Sequence, residues 1–275
     1  MMGFSIKNKV EIIDNYVVKY NTAKFSEGLE WFTELFSINH KRELRVYNWY
    51  NNIRHVNLLI PNSYELTSKH IKIERLVNLD NNKIHASALI PNLYEFLTLG
   101  YGKNRSIFDI ISSPTQSILR GLMKNSKFLG LRLVLQVLKR LMLLYLYRPK
   151  DRMTYLVHKD LKTNQNMIKT KDGVYFIDFG SSILTKDYFL IDIVELATDH
   201  VTNTVDFNII KLLIKELGLE RYNIMYLRSQ IYLLLMRRTM HFGHSDRSNT
   251  ETMARLKVFV DNLESLVNNF NIEEI

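Results

Sequence analysis

The sequence contains no cysteine, which excludes disulfide bonds and thiolate-bound metal sites. Proline and glycine are also scarce, with 4 and 10 among 275 residues, and no linker or low-complexity segment is indicated. The most apolar stretch, 129–147, is interrupted by Arg132, Lys139 and Arg140, so we expect a buried helix there and not a membrane span. The N-terminal stretch lacks the long apolar core of a secretory signal, so a cytoplasmic location is expected.

Acidic residues are almost missing between Arg120 and Arg152, where Asp151 is the single one. Nine cations lie in the same stretch, so its local charge is +8, against a formal net charge of +9 for the whole chain. A positive face attracts anionic partners such as acidic phospholipid, phosphorylated glycan or nucleic acid, while a solvated basic face without a partner is the equal alternative. The nine cations are Arg120, Lys124, Lys127, Arg132, Lys139, Arg140, Arg148, Lys150 and Arg152.

The most informative stretch is 155–182, YLVHKDLKTNQNMIKTKDGVYFIDFGSS. Three short apolar runs in it have the length and composition of strands, namely 155–157, 167–168 and 174–177. Asp-Gly at 172–173 predicts a hairpin turn between the second and third runs, because this pair supplies the positive φ angles that tight turns need. Asp160 follows the first run and Asp178 the third, so two carboxylates are predicted at the mouths of adjacent strands. Between them lie the amides Asn164, Gln165 and Asn166.

These residues resemble the catalytic core of the protein-kinase-like phosphotransferases. His158-Lys159-Asp160-Leu161 stands where that superfamily has its His-x-Asp catalytic loop, and Asp178-Phe179-Gly180 stands as its metal-binding triplet. The resemblance implies that Asp160 accepts the proton of the attacking hydroxyl. It also implies that Asp178 and an amide oxygen hold Mg²⁺, a cation that prefers oxygen ligands, while ATP is the phosphate donor.

The family's metal-binding amide lies five residues after the catalytic Asp, and Gln165 occupies that position here. Asn166 directly precedes the apolar pair of the next strand, as the family's Asn does, so Asn166 with a one-residue loop insertion is the favoured ligand. Asn164 and Gln165 remain open. Lys162 stands where Ser/Thr protein kinases place a lysine on the γ-phosphate, and it is the second predicted catalytic residue.

A nucleotide-binding lysine is expected near the N-terminus. Lys19 ends the run 16–19, which resembles the Val-Ala-Ile-Lys strand whose lysine contacts the α- and β-phosphates and pairs with a helix Glu. Glu43 is the favoured partner, because it lies near the start of a predicted helix over 41–53. Three competitors lie on an earlier predicted helical segment, namely Glu27, Glu30 and Glu34.

Glycine is scarce where the family has its phosphate-covering loop. Gly3 alone is available, so we expect either a short polar turn containing Ser5 over the phosphates or weakened nucleotide binding. A later alternating run resembles the strand that enters the kinase hinge. By that resemblance Ile73 lies behind the adenine, Glu74 offers its backbone carbonyl and Leu76 offers its backbone N–H.

The resemblance implies an α+β, bilobal protein-kinase-like fold, with a small β-rich N-lobe over 1–76 and a larger, mainly helical C-lobe over 77–275. Asp192 resembles the family's buried helix Asp and arrives fourteen residues after Asp178, so no peptide-docking segment of ordinary protein kinases fits between them. The same compaction is found in aminoglycoside and choline kinases, lipopolysaccharide core-sugar kinases and RIO-type atypical kinases. Helices are expected over 206–217, 222–242 and 250–270, with a cation- and histidine-rich cluster at 237–247.

The expected function is ATP- and Mg²⁺-dependent transfer of the γ-phosphate to a hydroxyl of a small molecule, with a sugar of a cell-envelope glycan or glycolipid as the first choice. Lys162 keeps a compact atypical Ser/Thr protein kinase as an alternative, and the poor glycine loop keeps a catalytically weak binding module. Besides the acceptor, an anionic membrane is an expected partner through 120–152, which would place the protein at the inner face of the membrane. No specific nucleic acid is expected.

Overall fold

The computed structural model of the protein describes residues 9–21, 38–52, 58–78, 86–161, 166–199, 204–245 and 262–272. The described residues form two compact units. The first is drawn from 1–100 and 158–183, and the second from 101–157 and 184–275. The first unit therefore combines the N-terminal strands with the segment that carries both predicted carboxylates. The predicted lobe boundary at residue 76 remains a prediction.

Strands and helices are both present, as an α+β fold requires. In chain order the described strands are β1 (Lys9–Ile13), β2 (Tyr16–Tyr20), β3 (Ser63–Leu66), β4 (His70–Glu74), β5 (Tyr155–Val157), β6 (Met167–Thr170), β7 (Gly173–Phe176) and β8 (Ile183–Thr185). The described helices are α1 (Ile38–Asn52), α2 (Ile90–Thr98), α3 (Ile107–Ile111), α4 (Pro114–Leu146), α5 (Ile191–Leu196), α6 (Phe207–Glu216) and α7 (Ile224–Ser245), with a further helical segment at 262–268. Short 3₁₀ turns of the described residues lie at Ala86–Leu89 and Phe179–Ser181.

The first unit contains a four-stranded antiparallel sheet in the order β1-β2-β4-β3. The turn at Asp14-Asn15 joins β1 to β2, and Asp14 adopts a positive φ of 51° there. Lys19 pairs with Ile71 of β4, and Ile71 is fully buried. Because residues paired across two strands project from the same face of a sheet, this register directs the Lys19 side chain toward the core face.

The predicted hairpin is also present, formed by β6 and β7 with Met167 paired to Phe176. Gly173 has a φ of 136°, which side-chain-bearing residues rarely adopt, so glycine is favoured there, and a Cβ atom at this position would also lie 2.5 Å from Cδ1 of Leu59. That segment is hydrogen-bonded to β7, because the N–H of Phe176 donates to the carbonyl of Leu59 over 3.0 Å. The buried Asn92 of α2 strengthens the contact by donating to the carbonyl of Val174 over 2.6 Å and accepting from the N–H of Leu59 over 2.8 Å.

The second unit is mainly helical, with β5 and β8 as a two-stranded sheet. The predicted C-terminal helices are confirmed in α6 and α7, while 262–268 represents the described part of the third. The N-cap of α6 is Asp206, whose carboxylate accepts from the N–H groups of Asn208 and Ile209. This contact satisfies helix-end donors that would otherwise have no intrahelical partner. Among the described residues, no helix is both long and apolar enough to cross a membrane.

Helix α4 differs from its expectation. The helix predicted over 129–147 belongs to a longer element that begins at Pro114 and is broken at Gly130, where φ is 71° and ψ is 157°. After the break, Leu133, Val137 and Leu144 are buried, but the opposite face of the helix carries exposed apolar side chains. The expectation of a buried helix therefore holds for one face of α4 and is wrong for the other.

Candidate active site

A largely buried ion pair of the first unit joins β2 to α1. The Nζ of Lys19 lies 2.6 Å from Oε1 of Glu43, and the two side chains are 14% and 3% exposed. Burial opposes the charged ammonium, but the carboxylates of Glu43 and Asp178 outweigh it, so the pKa of Lys19 is raised above its ordinary value. The structure therefore brings together the predicted lysine and its favoured partner. The competitors Glu27, Glu30 and Glu34 lie outside the described residues.

Lys19 also approaches the second predicted carboxylate, with 3.4 Å between its Nζ and Oδ1 of Asp178. Asp178 follows β7 in the left-handed conformation, with φ 61° and ψ 63°, which is uncommon for a residue other than glycine. Backbone strain of this kind persists only where the surroundings hold it, and it is enriched at functional sites. The Asp178 side chain remains 54% exposed, so its carboxylate is accessible to a ligand.

Aromatic packing fixes the residue that follows Asp178. The next residue, Phe179, is fully buried, and its ring centroid lies 5.5 Å from that of Tyr47 and 5.6 Å from that of Phe96. A Cβ atom on Gly180 would lie 3.2 Å from Cβ of Asn39, so glycine lets α1 pack closely on the turn. Helix α1, which carries Glu43, therefore packs against the turn that begins at Asp178.

His158 anchors the start of the predicted catalytic loop. Its Nε2 lies 2.7 Å from the carbonyl oxygen of Ile177, and because a carbonyl only accepts, Nε2 donates. Burial lowers the pKa of His158 below its ordinary value of 6.5, so the ring is neutral near neutral pH. His158 therefore links the backbone just before Asp178 to the loop that carries Asp160. Lys159, between His158 and Asp160, has a positive φ of 71°.

Asn166 is the one of the three candidate amides that the structure describes. Its Nδ2 donates to the backbone carbonyl of Asp160 over 2.5 Å, which fixes the side chain and leaves Oδ1 as its acceptor atom. The backbone carbonyl of Asn166 accepts from the N–H of Ile177 over 3.1 Å, next to Asp178 in the chain. Asn166 is thus tied both to Asp160 and to the strand end that precedes Asp178. Three residues of the loop, Lys162, Asn164 and Gln165, lie outside the described residues.

The predicted adenine contacts lie at the end of β4. Ile73 is buried and pairs with Val17, two residues before Lys19, so Ile73 and Lys19 share one face of the sheet. The Glu74 carboxylate accepts from Nδ2 of Asn62 over 2.8 Å. Leu76 is partly exposed just beyond the strand. The structure gives these three positions, while their contacts with a nucleotide remain predictions, and Ser5 lies outside the described residues.

Sequence reasoning missed Tyr47. This residue is fully buried against Phe179, and burial together with the nearby carboxylates of Glu43 and Asp178 raises the pKa of its hydroxyl well above the ordinary value. The position could have been found from spacing, because Tyr47 follows Glu43 by four residues and so lies on the same face of α1.

Two further predicted features belong to the second unit. Asp192 is fully buried in the first turn of α5, and its role remains a prediction. Arg238, from the predicted cationic cluster, donates to Oε2 of the Glu195 carboxylate over 2.7 Å, and Arg237 lies 3.9 Å from its Oε1. These two arginines are therefore engaged inside the unit. The side chains of 239–245 are outside the described part of the chain, as are residues 246 and 247.

The candidate site contains oxygen donors of the kind that magnesium prefers. Within the described residues there is no group of three or more His, Cys, Asp or Glu side chains that could hold a metal by itself. Mg²⁺ does not require one, because it is usually bound through one or two protein oxygens together with substrate phosphates and water. The accessible carboxylate of Asp178 and Oδ1 of Asn166 are oxygen donors of that kind, so these residues fit the cation.

No family model and no curated protein matches the sequence. Solved structures do match. The chain is similar to a choline/ethanolamine kinase family protein from Mesorhizobium loti, with a TM-score of 0.57, 11% identity and coverage of 97% of this chain and 87% of that one. It is also similar to choline kinase LicA from Streptococcus pneumoniae, with a TM-score of 0.54, 16% identity and coverage of 96% and 92%. The chain is also similar to the ADP-bound aminoglycoside phosphotransferase APH(2'')-Ib, with a TM-score of 0.50, 15% identity and coverage of 99% of this chain and 92% of that one.

These likenesses establish the fold. The chain has the α+β fold of the protein-kinase-like phosphotransferases, in the compact form that aminoglycoside phosphotransferases and choline kinases share. The predicted fold class is therefore confirmed.

Proposed function

We propose that this protein is an ATP- and Mg²⁺-dependent phosphotransferase that moves the γ-phosphate to a hydroxyl group of a small molecule. One observation carries the proposal: Lys19 lies between Glu43 and Asp178, with Nζ 2.6 Å from one carboxylate and 3.4 Å from the other. A buried ammonium held by one carboxylate beside an accessible second carboxylate is the arrangement that can receive a metal-bound polyphosphate.

The chain's own residues divide the work. Glu43 orients the ammonium of Lys19 toward the phosphate oxygens of ATP, while Asp178 and Oδ1 of Asn166 would hold Mg²⁺, which supplies neutralisation of phosphate charge. Asp160 accepts the proton of the acceptor hydroxyl as its oxygen bonds to the γ-phosphorus. The bond from that phosphorus to the β–γ bridging oxygen breaks, and ADP leaves. Lys162 is proposed to contact the γ-phosphate.

The proposed acceptor is a sugar hydroxyl, and a cell-envelope glycan or glycolipid is the first class to test. Two features support an anionic acceptor of this kind: the formal net charge of +9, and the +8 concentrated in 120–152. The interval of fourteen residues between Asp178 and Asp192 supports a small acceptor over a docked peptide. A compact protein kinase is the second candidate, and Lys162 is the residue that favours it.

Transfer from γ-labelled ATP tests the proposal directly. Phosphorylated and lipid-linked sugars, choline, aminoglycosides and a generic protein substrate form the acceptor panel, each with and without Mg²⁺. We expect Mg²⁺-dependent label on a sugar and none with Asp160→Asn. Label on protein at a higher rate than on any small molecule would favour the second candidate. Absence of nucleotide binding at millimolar ATP would overturn both and leave the binding module.

A further inference from the structure

The second half of α4 exposes a continuous apolar face. Six side chains after Gly130 are between 47% and 76% exposed, and their spacing of three and four residues places them along one side of the helix. These residues, which we call the α4 ridge, are Leu131, Leu135, Leu138, Met142, Tyr145 and Leu146. Leu133, Val137 and Leu144 occupy the opposite, buried side. Contiguous exposed apolar surface of this kind is uncommon in monomers and marks an interaction site.

Cations border this ridge. Leu131 and Leu135 line an open depression of about 480 Å³ together with Arg132, Gln136 and Lys139. Arg132 is exposed, and the Lys139 side chain is 59% exposed with its Nζ 3.7 Å from Oε1 of Glu264. At the other end, the guanidinium of Arg148 lies 3.6 Å from the ring centroid of Tyr145.

One cation of the same stretch does not belong to this border. Arg140 is buried, with its Nη2 2.9 Å from Oε1 of Glu264 and 2.6 Å from Oδ1 of Asn268. The positive charge of Arg140 is therefore compensated by a carboxylate within the second unit. The positive charge that borders the α4 ridge comes from the exposed cations.

The positive charge that borders the α4 ridge indicates which kind of partner the ridge binds. Between Ser112 and Lys150 the sequence contains no aspartate or glutamate, so α4 itself contributes no acidic residue beside the α4 ridge. A symmetric contact with a second copy would bring the α4 cations of two chains together. Glu264, an acid that the described residues place beside them, is already paired with Arg140 and Lys139, so this contact is unfavourable in a low-dielectric interface. An anionic partner removes that conflict.

An anionic bilayer surface matches both components. An amphipathic helix lies in the plane of the interface with its apolar side chains at the boundary of the acyl region, while lysine and arginine reach the lipid phosphates. Tyrosine is also favoured at that depth. Residues 131–146 would span about 24 Å at 1.5 Å per residue, which is enough to place the whole ridge on one surface.

We propose that the α4 ridge and its bordering cations dock this protein on an anionic phospholipid bilayer. The proposal does not depend on the phosphotransferase chemistry, because every residue that carries it lies in the second unit and outside the candidate active site. It narrows the membrane contact expected from 120–152 by adding the apolar component and by removing Arg140 from the contacting cations.

The test is sedimentation of the full chain with two kinds of vesicle: phosphatidylcholine containing phosphatidylglycerol, and phosphatidylcholine alone. Leu135→Gln with Met142→Gln should lower the partition coefficient on anionic vesicles about tenfold or more, because the apolar contact is lost. Arg132→Gln with Lys139→Gln should lower it about fivefold per cation at low salt and much less at high salt.

Matched controls come from exposed residues elsewhere. Ile107 and Ile111 of α3 are 61% and 54% exposed, close to Met142 at 56% and Leu135 at 54%, so Ile107→Gln with Ile111→Gln should leave sedimentation unchanged. Lys169→Gln with Lys171→Gln removes two exposed cations of the first unit and should also leave it unchanged. Thermal melting and ATP binding of every variant verify that it is folded.

Three outcomes would overturn the proposal. The first is equal sedimentation with anionic and neutral vesicles, and the second is equal loss in the ridge variants and their controls. The third is a lipid-indifferent dimer in analytical ultracentrifugation that dissociates with Leu135→Gln and Met142→Gln, which would assign the ridge to a second copy of the chain.

Discussion

Each unit contains a buried cation that is paired with a carboxylate, and the two pairs differ in what surrounds them. Arg140 in the second unit is held by Glu264, by Asn268 and by the ring of Tyr232, whose centroid lies 5.2 Å from the guanidinium carbon. Lys19 in the first unit is held by Glu43 but also faces the accessible carboxylate of Asp178.

The surroundings of the two pairs indicate different roles. The Arg140 contacts all come from the chain itself and stabilise the packing of α4 against 262–268. Lys19 faces a residue whose backbone is in the left-handed conformation and whose side chain is half exposed, so part of its environment is open to a ligand. Burial of a charged pair is therefore weak support for function, and an exposed, strained neighbour is the more informative feature.

The largest effect is expected at the two carboxylates of the first unit. Asp160→Asn should lower transfer by about 10²-fold to 10⁴-fold, the range associated with a general base, and should leave ATP binding nearly intact. Asp178→Asn should lower both transfer and Mg²⁺-dependent ATP binding, because it removes a charged oxygen donor. Single-turnover transfer and calorimetry distinguish the two variants. Wild-type turnover in both would refute the assignment of the catalytic residues.

Matched double substitutions test whether the Lys19–Glu43 and Arg140–Glu264 pairs have different roles. Lys19→Met with Glu43→Gln should reduce transfer by about 100-fold or more, because a preorganised charge is lost. Arg140→Met with Glu264→Gln should leave transfer unchanged. Removing both members of a buried pair is often close to neutral, so each double variant should unfold within about 1 kcal/mol of the wild type in urea.

A single substitution in the Arg140–Glu264 pair tests its structural role separately. Arg140→Met alone removes the hydrogen bonds to Glu264 and Asn268 and leaves Glu264 the longer contact with Lys139, at 3.7 Å. It should lower the free energy of unfolding by about 1–3 kcal/mol. Equal losses of transfer in the two double variants would show that the Lys19 pair is structural, like the Arg140 pair.

A smaller effect is expected within the metal-binding amides. Asn166→Ala should reduce Mg²⁺-dependent transfer by about tenfold or more, because the variant loses Oδ1 and the hydrogen bond to the Asp160 carbonyl. Gln165→Ala and Asn164→Ala serve as controls and should each cost much less. A larger loss at Gln165 would mean that the family spacing holds and that the loop contains no inserted residue.

The smallest effect concerns pH. The pKa of His158 is lowered by burial, so the unfolded chain binds a proton at this residue before the folded chain does. Stability is therefore fully present above the ordinary value of 6.5 and falls as the pH drops below it, by at most about 1.4 kcal/mol per pH unit. Urea unfolding from pH 7.5 down to about 5 should show a shallower slope for His158→Asn. An unchanged slope would show that His158 does not titrate in this range.

Local features of the first unit could be predicted from the sequence because they rest on short-range rules. Asp-Gly at 172–173 predicts a hairpin from its own backbone preferences, and β6 and β7 form it. The contact of Lys19 with Glu43 was expected from the order of motifs in a known family and not from any local rule. Asn92 was missed because burial and long-range hydrogen bonds decide its importance, whereas the spacing of four residues from Glu43 already indicates the position of Tyr47.

Helix α4 shows where sequence reasoning reaches its limit. Its composition predicts an apolar helix, but composition does not state which face packs against the rest of the unit. The exposure of Leu135 and Met142, and the burial of Arg140, follow from tertiary packing. A count of cations in 120–152 therefore combines exposed charges with one that is paired inside the unit.

We propose that Asp178, Asn166 and Lys19 form a Mg²⁺-dependent ATP site. Calorimetric titration of ATP into the wild-type protein and into Asp178→Asn, each with and without Mg²⁺, tests it most directly. We predict that Mg²⁺ strengthens ATP binding by the wild-type protein and that Asp178→Asn loses most of that gain. ATP binding that is equal with and without Mg²⁺ in both proteins, or no binding at millimolar ATP, would contradict the claim.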